Sequence, residues 1–383
     1  MKKILRITTV PISLMNLLKG QPKFMSQYYK VVGVTSPGDE IDTIINDEGI
    51  SVIAVEMTRT ISPIKDLVSL FKIYKIIKKE KPFIVHSHTP KAGTLGMMAA
   101  KLAGVPNRLH TIAGLPLLEA TGSKRKLLDV VEKITYTCAT KIYPNSLGLK
   151  DIIIQNRYTK PSKLKVIANG SSNGIDAHHF SIKNVSVETI STLREELHIN
   201  KSDVVFVFVG RLVTDKGINE LISAFIRLYI KNPNIKLLLV GTFESDLDPL
   251  KGKTLNEIEN NQNIIHVGWQ ADVRPYFAIS NALVFPSYRE GFPNVVMQAG
   301  AMDLPSIVTD INGCNEIIKH NINGLVIPPK NESELFIAMQ YLIENPKKSQ
   351  KMAKASRKII CNNYQREVIW NALLKEYNNL ENQ

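Results

Sequence analysis

Short apolar runs alternate with stretches of helical spacing from one end of this chain to the other. That alternation confines it to an open α/β architecture. In the first half the runs fall at residues 4–10, 29–34, 51–55, 83–86, 108–112, 141–143 and 165–167, with helical patterns over 65–79, 92–103 and 124–139. In the second half they fall at 204–209, 236–240, 264–267, 283–285, 306–308 and 324–326, with helices over 217–230 and 332–344. Runs this short, joined by crossover helices, predict parallel strands buried on both faces. Each half holds enough elements for a complete doubly wound unit, and 383 residues suffice for two full-sized cores. The join is predicted in NGSSNGID, which is rich in turn residues, giving domains 1–175 and 176–363 and a helix over 186–199 that leads into the second. The last stretch carries Val368, Ile369, Trp370, Leu373, Leu374 and Tyr377 at helical spacing. Spacing alone allows it to close the second domain or to cross back onto the first.

The chain has 48 basic and 35 acidic residues, a net charge of +13. This excess points to anionic partners: phosphates, nucleic acid or an acidic membrane surface. Nucleic acid is disfavoured, because no basic block is interleaved with aromatics. Cys138, Cys314 and Cys361 are widely spaced and form no CxxC pair, which predicts reduced thiols and a cytoplasmic setting. Lys3-Ile4-Leu5-Arg6 opens a strand, and Pro11 breaks the apolar stretch after it, so no signal peptide is expected. No apolar run approaches the roughly 18 residues of a spanning helix, so any membrane contact is expected to be peripheral.

Two strand ends carry the chemistry. After residues 204–209 comes GRLVTDKG, with Gly210, Arg211 and Lys216; after 283–285 come the turn Pro286-Ser287-Tyr288, then Glu290, Gly291, Phe292, Pro293 and a helical run from Asn294. A strand that delivers backbone N–H groups to a helix start is a ready anion site, and Gly291 lets that backbone approach a ligand closely. Two cations on one strand-end loop suit a diphosphate. Glu290 has three readings: it caps amides, binds hydroxyls, or acts on the reacting centre. Asp246-Leu247-Asp248 has metal-like spacing but reads as a solvated loop. His86 and His88 bracket Ser87 at a strand end and can point to one side, yet no third ligand follows at metal spacing. No metal is expected, since two fixed cations can do the work of a divalent ion. Basic and apolar residues mix over 65–81 and from Ser123 onward, the pattern of a membrane-surface helix or of an ordinary core stripe with a solvated lysine face.

GRLVTDKG and PSYREGFPNVVMQAGAMDLPSIVTD, with HSHTPKAG and NGID in the first half, resemble the family 4 retaining glycosyltransferases over nearly the whole chain. The likeness is strongest to the bacterial branch that builds capsule, O-antigen or lipid-linked oligosaccharides. The resemblance implies the GT-B fold, α/β with two facing Rossmann-like domains and a central cleft, and a terminal helix (364–383) crossing back. It implies no cofactor, a metal-independent reaction and a UDP-linked donor. Arg211 and Lys216 would stabilise the leaving diphosphate, where charge develops, and Glu290 would contact the sugar. Gly210, Gly291, Phe292, Pro293, Asn294 and Gln298 would bind the donor; His88, Lys91, His110 and Glu119 would lie on the acceptor side. The family pattern has an acid seven residues beyond the first, where this chain has Gln298, and an amide can still accept from one ribose hydroxyl and donate to another. The family histidine of a T-V-H-G stretch is Ala113 here, with His110 three residues earlier. The expected function is transfer of an N-acetylhexosamine or hexose from a UDP-sugar to a lipid-diphosphate-linked saccharide at the anionic inner membrane face. The rivals are a UDP-sugar 2-epimerase and a non-catalytic sugar-nucleotide-binding protein.

Overall fold

A computed structural model describes every residue except 59, 61, 116, 118, 119, 245, 247 and 383. The chain divides into two compact units, Met1–Gly174 with Glu367–Gln383, and Ile175–Arg366.

The first unit runs β1 (Lys3–Ile7), α1 (Pro11–Leu17), α2 (Gln21–Ser26), β2 (Lys30–Thr35), α3 (Glu40–Glu48), β3 (Ser51–Ala54), α4 (Pro63–Glu80), β4 (Ile84–Ser87), α5 (Pro90–Leu102), β5 (Asn107–Ile112), α6 (Gly122–Cys138), β6 (Lys141–Pro144) and α7 (Leu147–Gln155). Its six strands are parallel in the order β3-β2-β1-β4-β5-β6. Pro11 starts α1 instead of ending an element, because proline at the first helical position gives up an N–H that has no partner there anyway. Residues 165–167 do not form the expected strand. Only Leu164 bridges to Ile142, and Gly170 with a positive φ turns the chain soon after.

The second unit runs α8 (Val187–Glu196), β7 (Val204–Val209), α9 (Ile218–Lys231), β8 (Ile235–Val240), α10 (Gly252–Asn260), β9 (Ile264–Gly268), α11 (Arg274–Ala278), β10 (Ala282–Phe285), α12 (Asn294–Ala301), β11 (Ser306–Thr309), α13 (Cys314–Ile317), β12 (Gly324–Ile327), α14 (Glu332–Glu344) and α15 (Pro346–Tyr364). The parallel sheet has the order β12-β11-β10-β7-β8-β9. Central β7 is fully buried from Val205 to Phe208, as a strand covered by helices on both faces must be. Both sheets have the doubly wound order, and in each the order reverses beside the unit's first strand.

The final helix, α16 (Arg366–Glu381), belongs almost entirely to the first unit. Its buried face carries Ile369, Leu373, Tyr377 and Leu380 at helical spacing. Tyr377 Oη meets the buried Arg6 guanidinium and lies 2.6 Å from His86 Nδ1. Arg6 Nη1 also faces that Nδ1, at 3.0 Å, and arginine is always a donor, so Nδ1 accepts. Nε2 then carries the proton and donates to Thr111 Oγ1 at 2.8 Å. Trp370 Nε1 donates to Asn173 Oδ1 at 2.7 Å, which fastens the helix to the NGID turn.

Candidate active site

In open α/β sheets ligands bind beyond the strands' carboxyl ends, where the strand order reverses. In the second unit that point lies between β7 and β10. Both expected donor loops start there: GRLVTDKG follows β7, and the segment through Glu290 follows β10. The two loops are locked together. Gly217 has φ 72°, and a Cβ there would lie 2.2 Å from the Pro286 carbonyl oxygen, so only glycine fits. Tyr288 N–H donates to the Asp215 carbonyl at 2.8 Å, and Arg289 pairs with the Asp215 carboxylate. Burial pushes the Asp215 carboxyl up from its ordinary range. The other side of the turn is also fixed: Asn312 Nδ2 donates to the Glu290 carbonyl, and Gly313, with φ 77°, leaves room for the Gly291 carbonyl where a Cβ would come within 2.4 Å.

These contacts place the acidic turn against the basic loop. Lys216 Nζ lies 2.5 Å from Glu290 Oε1, with the side chains 14% and 16% exposed. Arg211 extends further into solvent, at 47% exposure, and its Nη1 donates to Glu244 Oε2 at 2.6 Å. Both expected cations therefore have an acid partner in this structure. The Lys216–Glu290 pair joins residues 74 apart in sequence. No sequence motif singles out Glu244, although its position soon after β8, the strand beside β7, is a usable signal.

The start of α12 has no side-chain cap; Pro293 is the N-cap, in extended conformation. Its first-turn N–H groups are thus served by no capping side chain. Phe292 is buried, its ring centroid 5.4 Å from that of Tyr364, while Gly291 is partly exposed and Asn294 exposed. Gln298 is half-buried on α12. Gly210 ends β7 with φ 149°, and its carbonyl lies where a Cβ on Gly241 would come within 1.9 Å, so the two strand ends touch through glycine alone. Asp248 is structural, accepting from Asp215 N–H at 2.7 Å. Among the described residues no group of three His, Cys, Asp or Glu side chains is arranged to hold a metal.

The expected acceptor-side residues of the first unit separate into two kinds. His88 and His110 are 4% and 3% exposed and belong to its interior. His110 Nδ1 lies 2.9 Å from Ser87 Oγ, and its ring occupies the space over Gly93, where a Cβ would be 2.4 Å from Cε1. Burial pushes the His110 imidazole down to about 4. His88 stacks 4.2 Å from His86, and neither of its ring nitrogens has a hydrogen-bond partner among the described residues. Burial holds both imidazoles well below the usual histidine range. Lys91, by contrast, is partly exposed at the start of α5, with Nζ 2.5 Å from Asp66 Oδ2. Glu119 lies outside the described residues.

Residues 189–359 match the family model for glycosyl transferases group 1, and residues 17–146 the model for glycosyl transferase 4-like domains. The chain is 33% identical to the capsular polysaccharide biosynthesis glycosyltransferase CapM of Staphylococcus aureus, over 98% of this chain and 97% of that one. It is 30% identical to the UDP-Gal:alpha-D-GlcNAc-diphosphoundecaprenol alpha-1,3-galactosyltransferase of Escherichia coli, over 94% of this chain and 93% of the relative. Its fold matches the crystal structure of Anabaena Alr3699/HepE in complex with UDP, with a TM-score of 0.81 and 18% identity over 99% of this chain and 100% of the other. Each family model falls within one of the two units, and the staphylococcal relative aligns along nearly the entire sequence, so the chain belongs to the family 4, group 1 glycosyltransferases and is a glycosyltransferase of GT-B fold.

Proposed function

We propose that the protein transfers an N-acetylhexosamine or hexose, with retention, from a UDP-sugar to a lipid-diphosphate-linked saccharide in the assembly of a surface polysaccharide. The observation that carries the donor half is the reversal point of the second sheet. There Arg211, Lys216 and the uncapped start of α12 come from two strand ends held together by Gly217 and Tyr288. Arg211 and Lys216 bind the diphosphate and take up the charge that develops on it as the sugar bond breaks. The Gly291 and Phe292 amides and the α12 start at Pro293-Asn294 approach the sugar and phosphate. Glu290 accepts from sugar hydroxyls once the diphosphate competes for Lys216. Gln298 holds the ribose through one acceptor and one donor. Gly210, at a φ of 149° where a side chain would be strained, carries the chain from β7 into the Arg211 loop and lends the donor its backbone.

The acceptor half rests on kinship. The Escherichia coli relative is named for a UDP-sugar donor and a diphosphoundecaprenol acceptor, and the Staphylococcus aureus relative for capsule synthesis. In the first unit Lys91 is the acceptor-side cation, while the buried His88 and His110 are part of the unit's packing. No described helix is long and apolar enough to cross a membrane. Basic residues on α4 and α6 fit a peripheral site on the anionic inner membrane face, with the enzyme in the cytoplasm.

The deciding experiment measures UDP release from a panel of UDP-sugars, with and without a polyprenyl-diphosphate-linked saccharide, in EDTA. Release that needs the lipid-linked acceptor and survives the chelator is expected. Isomerisation of the UDP-sugar without release would instead identify a 2-epimerase. Activity lost in EDTA and restored by magnesium or manganese would refute the metal-free mechanism.

A further inference from the structure

The first sheet has a reversal point of its own, between β1 and β4, and a groove of about 600 Å³ opens there. Thr9 and Val10 line it from the loop after β1, Thr89 from the loop after β4, and Pro90 and Lys91 from the start of α5. Its walls are aliphatic, with Leu67 and Leu70 from α4, Leu95 and Met98 from α5, and Leu128 and Val131 from α6. This size is that of pockets that enclose a small-molecule ligand. The one cation among the described lining residues is Lys91, which pairs with Asp66. A second carboxyl, Glu132, also borders the groove, and burial raises it toward its neutral form.

The helices beside the groove keep apolar side chains in solvent. On α4, Ile64, Leu67, Val68 and Phe71 are 82%, 66%, 51% and 56% exposed; on α6, Leu127, Val130 and Ile134 are 46%, 53% and 41% exposed. These positions recur at helical spacing, so each set is a stripe and not scattered residues. Exposed lysines flank both stripes: Lys65, Lys72 and Lys75 on α4, and Lys124, Lys126 and Lys133 on α6. An aliphatic channel with one cation at its sheet end and two apolar stripes rimmed by lysines complements an apolar chain with an anionic head.

We propose that this groove binds the isoprenoid segment of the acceptor next to its diphosphate, with Lys91 exchanging Asp66 for phosphate. The proposal rests on the lipid-diphosphate reading above and adds the place where the chain lies. Chain length becomes a determinant of acceptor affinity, because each methylene laid in the groove leaves water.

The test titrates the full-length protein with farnesyl diphosphate, isopentenyl diphosphate, inorganic pyrophosphate and lysophosphatidylglycerol, using calorimetry. Farnesyl diphosphate should bind about tenfold or more tighter than isopentenyl diphosphate, from the added apolar burial. Leu67→Glu, at an exposed position safe for folding, and Leu128→Glu should each remove most of that preference. Both should leave UDP affinity near wild type; Leu67→Glu should also keep the melting temperature, while Leu128→Glu, packed against the core of the unit, should lower it. The groove is refuted if the farnesyl preference survives both variants, or if lysophosphatidylglycerol displaces farnesyl diphosphate at equal concentration, marking a general lipid surface. In either case continued transfer onto a polyprenyl-linked saccharide would leave the acceptor assignment standing. Transfer to a free, lipid-less saccharide with the same kcat/KM would remove both.

Discussion

Lys216 is held by Glu290 at 2.5 Å, so a donor diphosphate must compete with a carboxylate already in place. Glu290→Gln removes that competitor's charge while keeping its shape. With both side chains about one-seventh exposed, the pair lies between surface pairs, worth up to about 1 kcal/mol, and buried pairs, whose breakage costs about 3–5 kcal/mol. Freeing the lysine should therefore strengthen UDP binding by about 1–2 kcal/mol, or roughly five- to thirtyfold in Kd. Transfer should fall in the same variant, by about a hundredfold, because Glu290 is the proposed sugar contact. Calorimetric titration with UDP, which lacks the sugar, separates the two effects. The control is Lys216→Ala, which should weaken UDP binding strongly. In that background Glu290→Gln should change Kd by less than about twofold, since there is no lysine left to free. Two results would refute the reasoning: Glu290→Gln weakening UDP as Lys216→Ala does, or an undiminished gain in the Lys216→Ala background, which would trace the effect to direct repulsion between Glu290 and phosphate.

Gln298→Ala should weaken UDP by about 1 kcal/mol, the net worth of one hydrogen bond, and Gln298→Glu should be tolerated; unchanged affinity in Gln298→Ala would place the ribose elsewhere. Gly313→Val forces a Cβ toward the Gly291 carbonyl at a positive φ, so it should lower the melting temperature and weaken UDP together, and a variant with wild-type values of both would show the turn to be free to move. His110 is neutral in the fold, its imidazole pushed down to about 4 from an ordinary value near 6.5, so the unfolded chain binds the extra proton between those values. Its contribution is fully present above about pH 6.5 and is lost as pH falls toward 4, about 3 kcal/mol in all at about 1.4 kcal/mol per unit. His86 and His88, shifted the same way, steepen the loss. Denaturant midpoints between pH 4 and 7 should show this slope, and His110→Gln should flatten it; an equal slope in the variant would contradict the burial argument.

Much of this structure was legible in the residue pattern. Strand runs such as Val204–Val209 are too apolar for a half-solvated strand, and the turn-rich NGID marks the boundary between the units. Arg211, Lys216 and Glu290 could be singled out because each follows a strand end within one loop. Their pairing could not. Whether Lys216 faces Glu290 or solvent depends on how Gly217 nests on Pro286, a contact between loops far apart in sequence. The short helices α1 and α2 hid behind Pro11 and Pro22, residues that break a pattern in mid-element but start one at its first turn. His110 reads as an acceptor-side residue because it lies three residues before Ala113, where the family carries a histidine. Only the absent Cβ of Gly93 reveals that the ring points inward. The periodicity of the last helix identifies its buried face without saying what covers it. That answer depends on Arg6, Asn173 and Glu376 meeting partners from opposite ends of the chain.

This closure has a consequence for synthesis. The first unit is translated first, yet Glu367–Gln383 emerges from the ribosome after the whole second unit has been made. Until then Arg6 and His86 lack the Tyr377 hydroxyl, and the surface that receives Leu373 and Leu380 is open to water. The second unit has all its strands and can complete its own sheet while the first waits. A chain cut short near its end would therefore carry a finished donor unit beside an unclosed one, with a buried guanidinium short of a partner. Copies terminated before Glu367 would be exposed to proteolysis in the first unit, because the segment that closes it would never arrive.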